Sequence, residues 1–154
     1  MTMRLYVADG VGLKFPGLVV EALDHYRLVY ESPGVSDFGP VLGKISILKI
    51  FEHVLGADVR VTARPGSVIT VTATIRTNRR RTFDFRRSAP AGADGMAHFT
   101  LPYAAATGGE TMGLAGSYRI AAEGRGIATE GKAAHVRLEE QDVLQGRVVE
   151  VSLE

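Results

Sequence analysis

Six arginines fall within twelve residues of this chain, at Arg76, Arg79, Arg80, Arg81, Arg86 and Arg87. A guanidinium carries a rigid fork of donors that matches carboxylate and phosphate oxygens. The cluster therefore reads as a contact for an anionic surface. The bland alternative is a solvated turn, because Asn78 to Arg80 has the composition of a hairpin tip. Asp84 is the only acid between Asp58 and Asp94. An unpaired guanidinium loses too much solvation to be buried. These arginines must lie outside or pair with acids.

The remaining chemistry-bearing residues are dispersed. His25, His53, His98 and His135 show no metal-ligand spacing and read as structural or solvated positions. Glu139, Glu140 and Asp142 form an acidic run at the expected start of a short helix, where the dipole favours negative charge. Ala8 to Gly12 lacks both the Walker lysine and the dinucleotide-binding glycine spacing. Cysteine is absent, which excludes disulfides, thiolate metal sites and cysteine nucleophiles. There is no nucleophile elbow, and Asn78 is followed by two arginines, so it is no glycosylation sequon. No catalytic residue and no metal ligand is assigned in this chain.

The whole sequence has 154 residues, 45% hydrophobic and 23% charged. That is the size and composition of one folded domain, or of one domain with a small fragment attached. Net charge is +1, but residues 58–100 hold 8 basic and 3 acidic side chains, and residues 101–154 hold 5 and 8. A charge block of this size does not demand nucleic acid, and none is expected as a partner. No apolar run approaches the roughly 20 residues of a spanning helix. No signal peptide is visible at the start. The chain is expected to be soluble.

The elements that must position these residues are mostly strands. Ile69, Val71, Ala73 and Ile75 alternate with Thr70, Thr72 and Thr74, which is the pattern of a half-buried strand. The same alternation gives Val59, Val61 and Ala63, then Phe83 and Phe85, then Ala97, Phe99, Leu101 and Tyr103. It continues with Tyr118, Ile120 and Ala122, then Ala134, Val136 and Leu138, and finally Val149, Val151 and Leu153. Turn signals separate the runs, among them Arg64-Pro65-Gly66 and Ala93-Asp94-Gly95. Such spacing predicts a mainly β fold, an antiparallel β-sandwich or barrel-like module with little helix. One short helix is expected within Leu138 to Gln145, ended by Gly146.

The first third reads differently. Met1 to Val7 has the look of a frayed helix end. Residues 25–31 predict a strand, and residues 34–43 a Gly/Pro-rich loop. Ile45 to Val54 predicts one further strand. Its residues Ile45, Ile47, Leu48, Ile50 and Phe51 leave it no polar face. That pattern points to a buried strand or to one covered by another module, and these five residues are expected to form an interface with an upstream core.

Four segments of the chain carry a resemblance to a known family. They are MTMRLY at 1–6 with Asp9-Gly10, HYRLVYES at 25–32, LKIFEHVLGA at 48–57, and Asp94-Gly95 with Phe99 and Pro102-Tyr103. Their order and content resemble the C-terminal extracytoplasmic region of the archaeal oligosaccharyltransferase catalytic subunit. That family moves a glycan from a dolichol-linked phosphate donor to the Asn of a sequon, using a divalent metal. Its Trp-Trp-Asp-Tyr-Gly motif has no counterpart, because this chain contains no Trp. The family's metal-holding acids belong to membrane-side loops, so no catalytic residue carries over.

The resemblance implies a non-catalytic C-terminal module at the outer face of the cell membrane. Residues 1–55 would be a remnant of the central core with its connecting strands. Residues 56–154 would be an accessory β-sandwich. The partners implied are the upstream catalytic and membrane part of the same polypeptide, together with an anionic membrane surface. No cofactor is expected in the chain itself. The alternative reading is a free-standing β-sandwich that binds carbohydrate or a protein partner. Fold alone does not separate the two.

Overall fold

The computed structural model describes residues 9–15, 18–20, 22–105, 113–123 and 132–153. Strand β1 (Leu13–Phe15) pairs antiparallel with β2 (Leu18–Val20). Strand β3 (Tyr26–Glu31), β4 (Val35–Asp37), helix α1 (Gly39–Leu42), β5 (Lys44–Ser46) and β6 (Lys49–His53) then form one long ribbon. Its outer pair is β3 with β6, and its inner pair is β4 with β5. The Ser32 amide donates to Leu48 O and the Ile47 amide to Gly34 O, each at 2.8 Å, so the two pairs are continuous.

The ribbon corrects two expectations. Residues 34–43 are a strand and a helical turn, not an open loop. Residues 45–54 are two strands broken at Ile47 and Leu48, not one. The Ser32 hydroxyl accepts from the Leu48 amide at 3.1 Å and so completes that break.

The rest of the chain builds two sheets. Strand β7 (Ala57–Thr62) lies between β10 (Met96–Leu101), antiparallel, and β14 (Val148–Ser152), parallel. Strand β8 (Val68–Arg76) forms a hairpin with β9 (Thr82–Pro90). On its other edge β8 pairs with β11 (Gly113–Leu114) and β12 (Tyr118–Glu123), and β12 pairs in turn with β13 (Ala133–Val136). Helix α2 (Glu140–Gln145) precedes β14. Among the described residues the fold is thus mainly β, with an open two-sheet core and no closed barrel.

Alternation decides which side chains fill that core. Val59, Val61, Phe99 and Leu101 come from one sheet, and Ile69, Val71, Ile75, Phe85, Tyr118 and Ile120 from the other. The inward face expected for residues 69–75 is therefore the observed one. Fully burying such side chains stabilises by about 1.5–3 kcal/mol each before chain entropy is counted. Helix α2 closes one end through Val143 and stops at Gly146, which takes the left-handed conformation at φ 62° and ψ 38°. Gly56 joins ribbon to sandwich at φ +75°, where a Cβ would collide with Thr100 Cγ2. The expected helix end at residues 1–7 lies outside the described residues.

Candidate functional site

The strand period sorts the six clustered arginines into two groups. Phe83, Phe85 and Arg87 point toward the inner side of β9, and Thr82, Asp84 and Arg86 point out. Arg81, just ahead of the strand, follows the inner set. Its guanidinium lies over the Phe83 ring at 5.3 Å, and that of Arg87 over the Phe85 ring at 4.4 Å. Arg76, Arg79, Arg80 and Arg86 are exposed.

Arg81 is the hub of a charged cluster. It donates to both carboxylate oxygens of Asp9 at 2.9 Å, and to Glu31 Oε2 at 2.7 and 3.0 Å. Lys49 Nζ donates to Asp9 Oδ1 at 2.6 Å, and the Thr77 hydroxyl to Glu31 Oε1 at 2.5 Å. Glu31 is only 1% exposed, so its charge is tolerable only because it is paired and hydrogen-bonded. Burial pulls the Arg81 pKa down, but the hydrogen bonds to Glu31 and Asp9 outweigh it and hold the group cationic. The Asn78 side chain adds a second tie. Its Oδ1 accepts from the Glu31 amide at 3.0 Å, and its Nδ2 donates to the Glu31 carbonyl at 3.1 Å.

Further ties run in parallel. Arg27 is buried and bidentate to Glu140 of α2 at 2.5 and 2.9 Å, while its other donors reach Glu52 at 2.7 and 2.9 Å. Burial works against the Arg27 charge, yet these bonds raise its pKa overall, and in return they lower that of Glu140. Arg87 donates to Asp24 at 3.0 Å and to the Val11 carbonyl at 3.2 Å. Tyr103 Oη accepts from the Leu28 amide at 3.0 Å. Tyr118 Oη accepts from the Tyr103 amide at 3.1 Å and donates to its carbonyl at 3.0 Å. Burial pushes both phenols above their ordinary range.

The apolar residues of β5 and β6 divide as well. Ile45 is buried and Phe51 half-buried. Ile47, Leu48 and Ile50 are 61%, 51% and 48% exposed. Ile50 stands opposite Tyr30, which is also exposed. The histidines do not converge. His25 Nδ1 donates to Leu55 O at 3.0 Å, and its ring stacks on His53 with centroids 6.0 Å apart. His98 faces Asp58 at 3.8 Å, and His135 lies 3.2 Å from the Ser117 hydroxyl. Among the described residues no three His, Cys, Asp or Glu side chains gather as a metal ligand set. No helix among the described residues is long and apolar enough to cross a membrane.

A family model described as the archaeal glycosylation protein B long peripheral domain matches residues 56–149. The chain belongs to this family. The peripheral-domain chain is also similar to solved structures from Archaeoglobus fulgidus. One is an oligosaccharyltransferase in complex with Zn and sulfate, at 20% identity and TM-score 0.72, over 97% of this chain and 24% of that one. A second is the oligosaccharyltransferase AglB in complex with an inhibitory peptide and a dolichol-phosphate, at 20% identity and TM-score 0.72, over 98% and 22%. A third is tethered to an acceptor peptide containing the NVT sequon, at 19% identity and TM-score 0.71, over 97% and 22%. No match was found among the curated proteins. The peripheral-domain chain thus spans about a quarter of the length of these structures.

In this peripheral domain, the ribbon lies ahead of the family match but inside the structural likeness. Of the residues that make these ties, Arg81, Arg87 and Glu140 stand out in the sequence as members of charged clusters, whereas nothing local marks Asp9, Asp24, Glu31 and Lys49 as their partners. Asn78, the single Asn of the chain, lies at the tip of the arginine-rich hairpin.

Proposed function

We propose that the chain is a non-catalytic module of an archaeal-type oligosaccharyltransferase, an enzyme of protein N-glycosylation. Its task is to support the core that holds the acceptor sequon. The observation that carries this reading is how the peripheral domain uses its buried charges. Arg27 and Glu31 fasten the ribbon to the sandwich through Glu140 and Arg81, and Lys49 holds the Asp9 carboxylate that Arg81 also meets. Bringing acceptor and donor into register requires such rigid support. The similar A. fulgidus proteins were captured with an acceptor peptide, and with an inhibitory peptide and a dolichol-phosphate, which supports the enzyme class.

On this reading residues 1–55 are the end of a central core, and residues 56–154 the accessory sandwich. Ile47, Leu48 and Ile50 face the remainder of the polypeptide, with Ile45 and Phe51 packed behind them. The module stands at the extracytoplasmic face of the membrane, beside an anionic lipid surface. The divalent metal of the parent enzyme is held outside this chain.

Two measurements test the proposal. The isolated chain, given a sequon peptide and a lipid-linked glycan, should transfer nothing. In the full-length enzyme, replacing Ile47, Leu48 and Ile50 together by Ser should lower transfer and expose the upstream part to proteolysis. Turnover by the isolated chain overturns the reading. Unchanged transfer and proteolysis in the triple variant removes the ribbon as an interface.

A further inference from the structure

The register of the five-stranded sheet gathers cations that are far apart in sequence. Arg86 of β9 stands opposite Thr72 of β8, Thr72 opposite Arg119 of β12, and Arg119 opposite His135 of β13. Arg86, Arg119 and His135 are exposed, whereas their neighbours Phe85, Tyr118 and Ile120 point into the core. Arg76 lies four positions along β8 on the same face, and the hairpin tip beyond it carries Arg79 and Arg80. With strands about 4.8 Å apart, Arg86 and Arg119 sit roughly 10 Å from one another, in one row across the sheet.

Short side chains fill the space between these cations. Thr72 separates Arg86 of β9 from Arg119 of β12, and Thr74 follows on the same face. Asp84 shares this face, and it already accepts from Thr74 at 3.4 Å. The outcome is a broad sheet face from which long guanidinium side chains project. A planar partner fits such a face better than a polymer, which would need a groove. Arg81 and Arg87 take no part, because Asp9, Glu31 and Asp24 hold them on the other side.

We infer that the outer face of the β9-β8-β12-β13 sheet, centred on Arg76, Arg79, Arg80 and Arg119, docks on the phosphate headgroups of an anionic lipid surface. The inference rests on the reading that the module works beside a membrane. It replaces the sequence-local arginine cluster by a surface that only the strand register creates. Each basic residue near such a surface strengthens binding about fivefold at low salt. The attraction is screened once the Debye length falls from about 10 Å at 0.1 M salt to about 3 Å at 1 M.

Co-sedimentation of the 154-residue chain with vesicles tests this. The probes are phosphatidylglycerol–phosphatidylcholine vesicles, pure phosphatidylcholine vesicles and a soluble sulfated polysaccharide. The wild type should bind the anionic vesicles at low salt, release them at 1 M salt and ignore the neutral ones. Arg119→Gln should weaken binding about fivefold, and the pair Arg79→Gln with Arg80→Gln about 25-fold. Arg60→Gln, on the opposite sheet, should change nothing. Because all these side chains are on the surface, unchanged unfolding midpoints verify that the variants fold. No vesicle binding by the wild type overturns the inference, as does tight binding to the polysaccharide alone. Equal weakening by Arg60→Gln also overturns it, since net charge then accounts for the attraction. None of these failures touches the non-catalytic reading, which the transfer assay judges separately.

Discussion

The side-chain amide of Asn78 pairs with the peptide group of Glu31 as a neighbouring strand would, one bond donated at 3.1 Å and one accepted at 3.0 Å. The tip of the β8–β9 hairpin is thereby joined to the end of β3. Arg81 and Thr77 reach the Glu31 carboxylate from the same tip. One residue of the ribbon thus receives the hairpin through both its backbone and its side chain.

Asn78→Ala should therefore destabilise the chain by about 1–3 kcal/mol, the cost of leaving partly buried peptide groups without partners. Asn78→Asp should cost a similar amount, because a carboxylate accepts from the Glu31 amide but repels its carbonyl. Urea unfolding of the two variants measures both. A loss below half a kcal/mol in each would mean that water replaces the pairing.

Arg81→Met removes the cation between Asp9 and Glu31. Asp9 keeps its ion pair with Lys49, whereas the buried Glu31 loses its pair with Arg81. The expected cost is about 3 kcal/mol. Glu31→Gln should relieve part of it, so the double variant should fall short of the sum of the singles by about 1 kcal/mol or more. Strict additivity would show that the two side chains do not couple in solution.

Gly56→Ala meets two obstacles at once. The positive φ costs a non-glycine residue roughly 1–2 kcal/mol, and the new Cβ collides with Thr100 Cγ2. Thr100→Ser removes that methyl group. The pair Gly56→Ala with Thr100→Ser should regain the steric part and keep the backbone part. Full recovery in thermal unfolding would show that the backbone there tolerates a side chain.

Alkaline pH should unfold the chain through Tyr103 and Tyr118. Burial raises the pKa of both phenols in the folded state, whereas unfolded tyrosines ionise near 10. The folded chain keeps protons that the unfolded chain releases. Stability is therefore fully present below about pH 10 and is lost as pH rises toward the folded values. Tyr118→Phe should be less stable at pH 7, because two buried hydrogen bonds vanish, and should show a flatter decline above pH 10. Parallel pH profiles for wild type and variant would remove Tyr118 as the cause.

Much of the sandwich was legible in the sequence because its signal is local. In β8, Ile69, Val71 and Ile75 alternate with threonines, and the pleat alone sends them to opposite faces. Gly146 ends α2 because only a residue free of Cβ strain takes that left-handed turn cheaply. The ribbon was less legible. Residues 45–54 carry apolar side chains at consecutive positions, which fits one buried strand as well as two strands meeting at a break. The partner strand decided it, through the bonds of Ser32 and Gly34 to Leu48 and Ile47.

The arginine cluster shows where the sequence stopped. Its composition and period-two spacing determined that Arg86 and Arg87 point to opposite sides of one strand. They determined also that a buried guanidinium needs an acid. Which acid was settled only by tertiary structure, since Asp9 lies 72 positions from Arg81, Asp24 lies 63 from Arg87 and Glu31 lies 50 from Arg81. The strand register brought Arg119 into the row of Arg86 in the same way. Side-chain direction follows from the local backbone, whereas an ion pair depends on two distant segments reaching the same few ångströms, and only the docking of ribbon on sandwich supplies that.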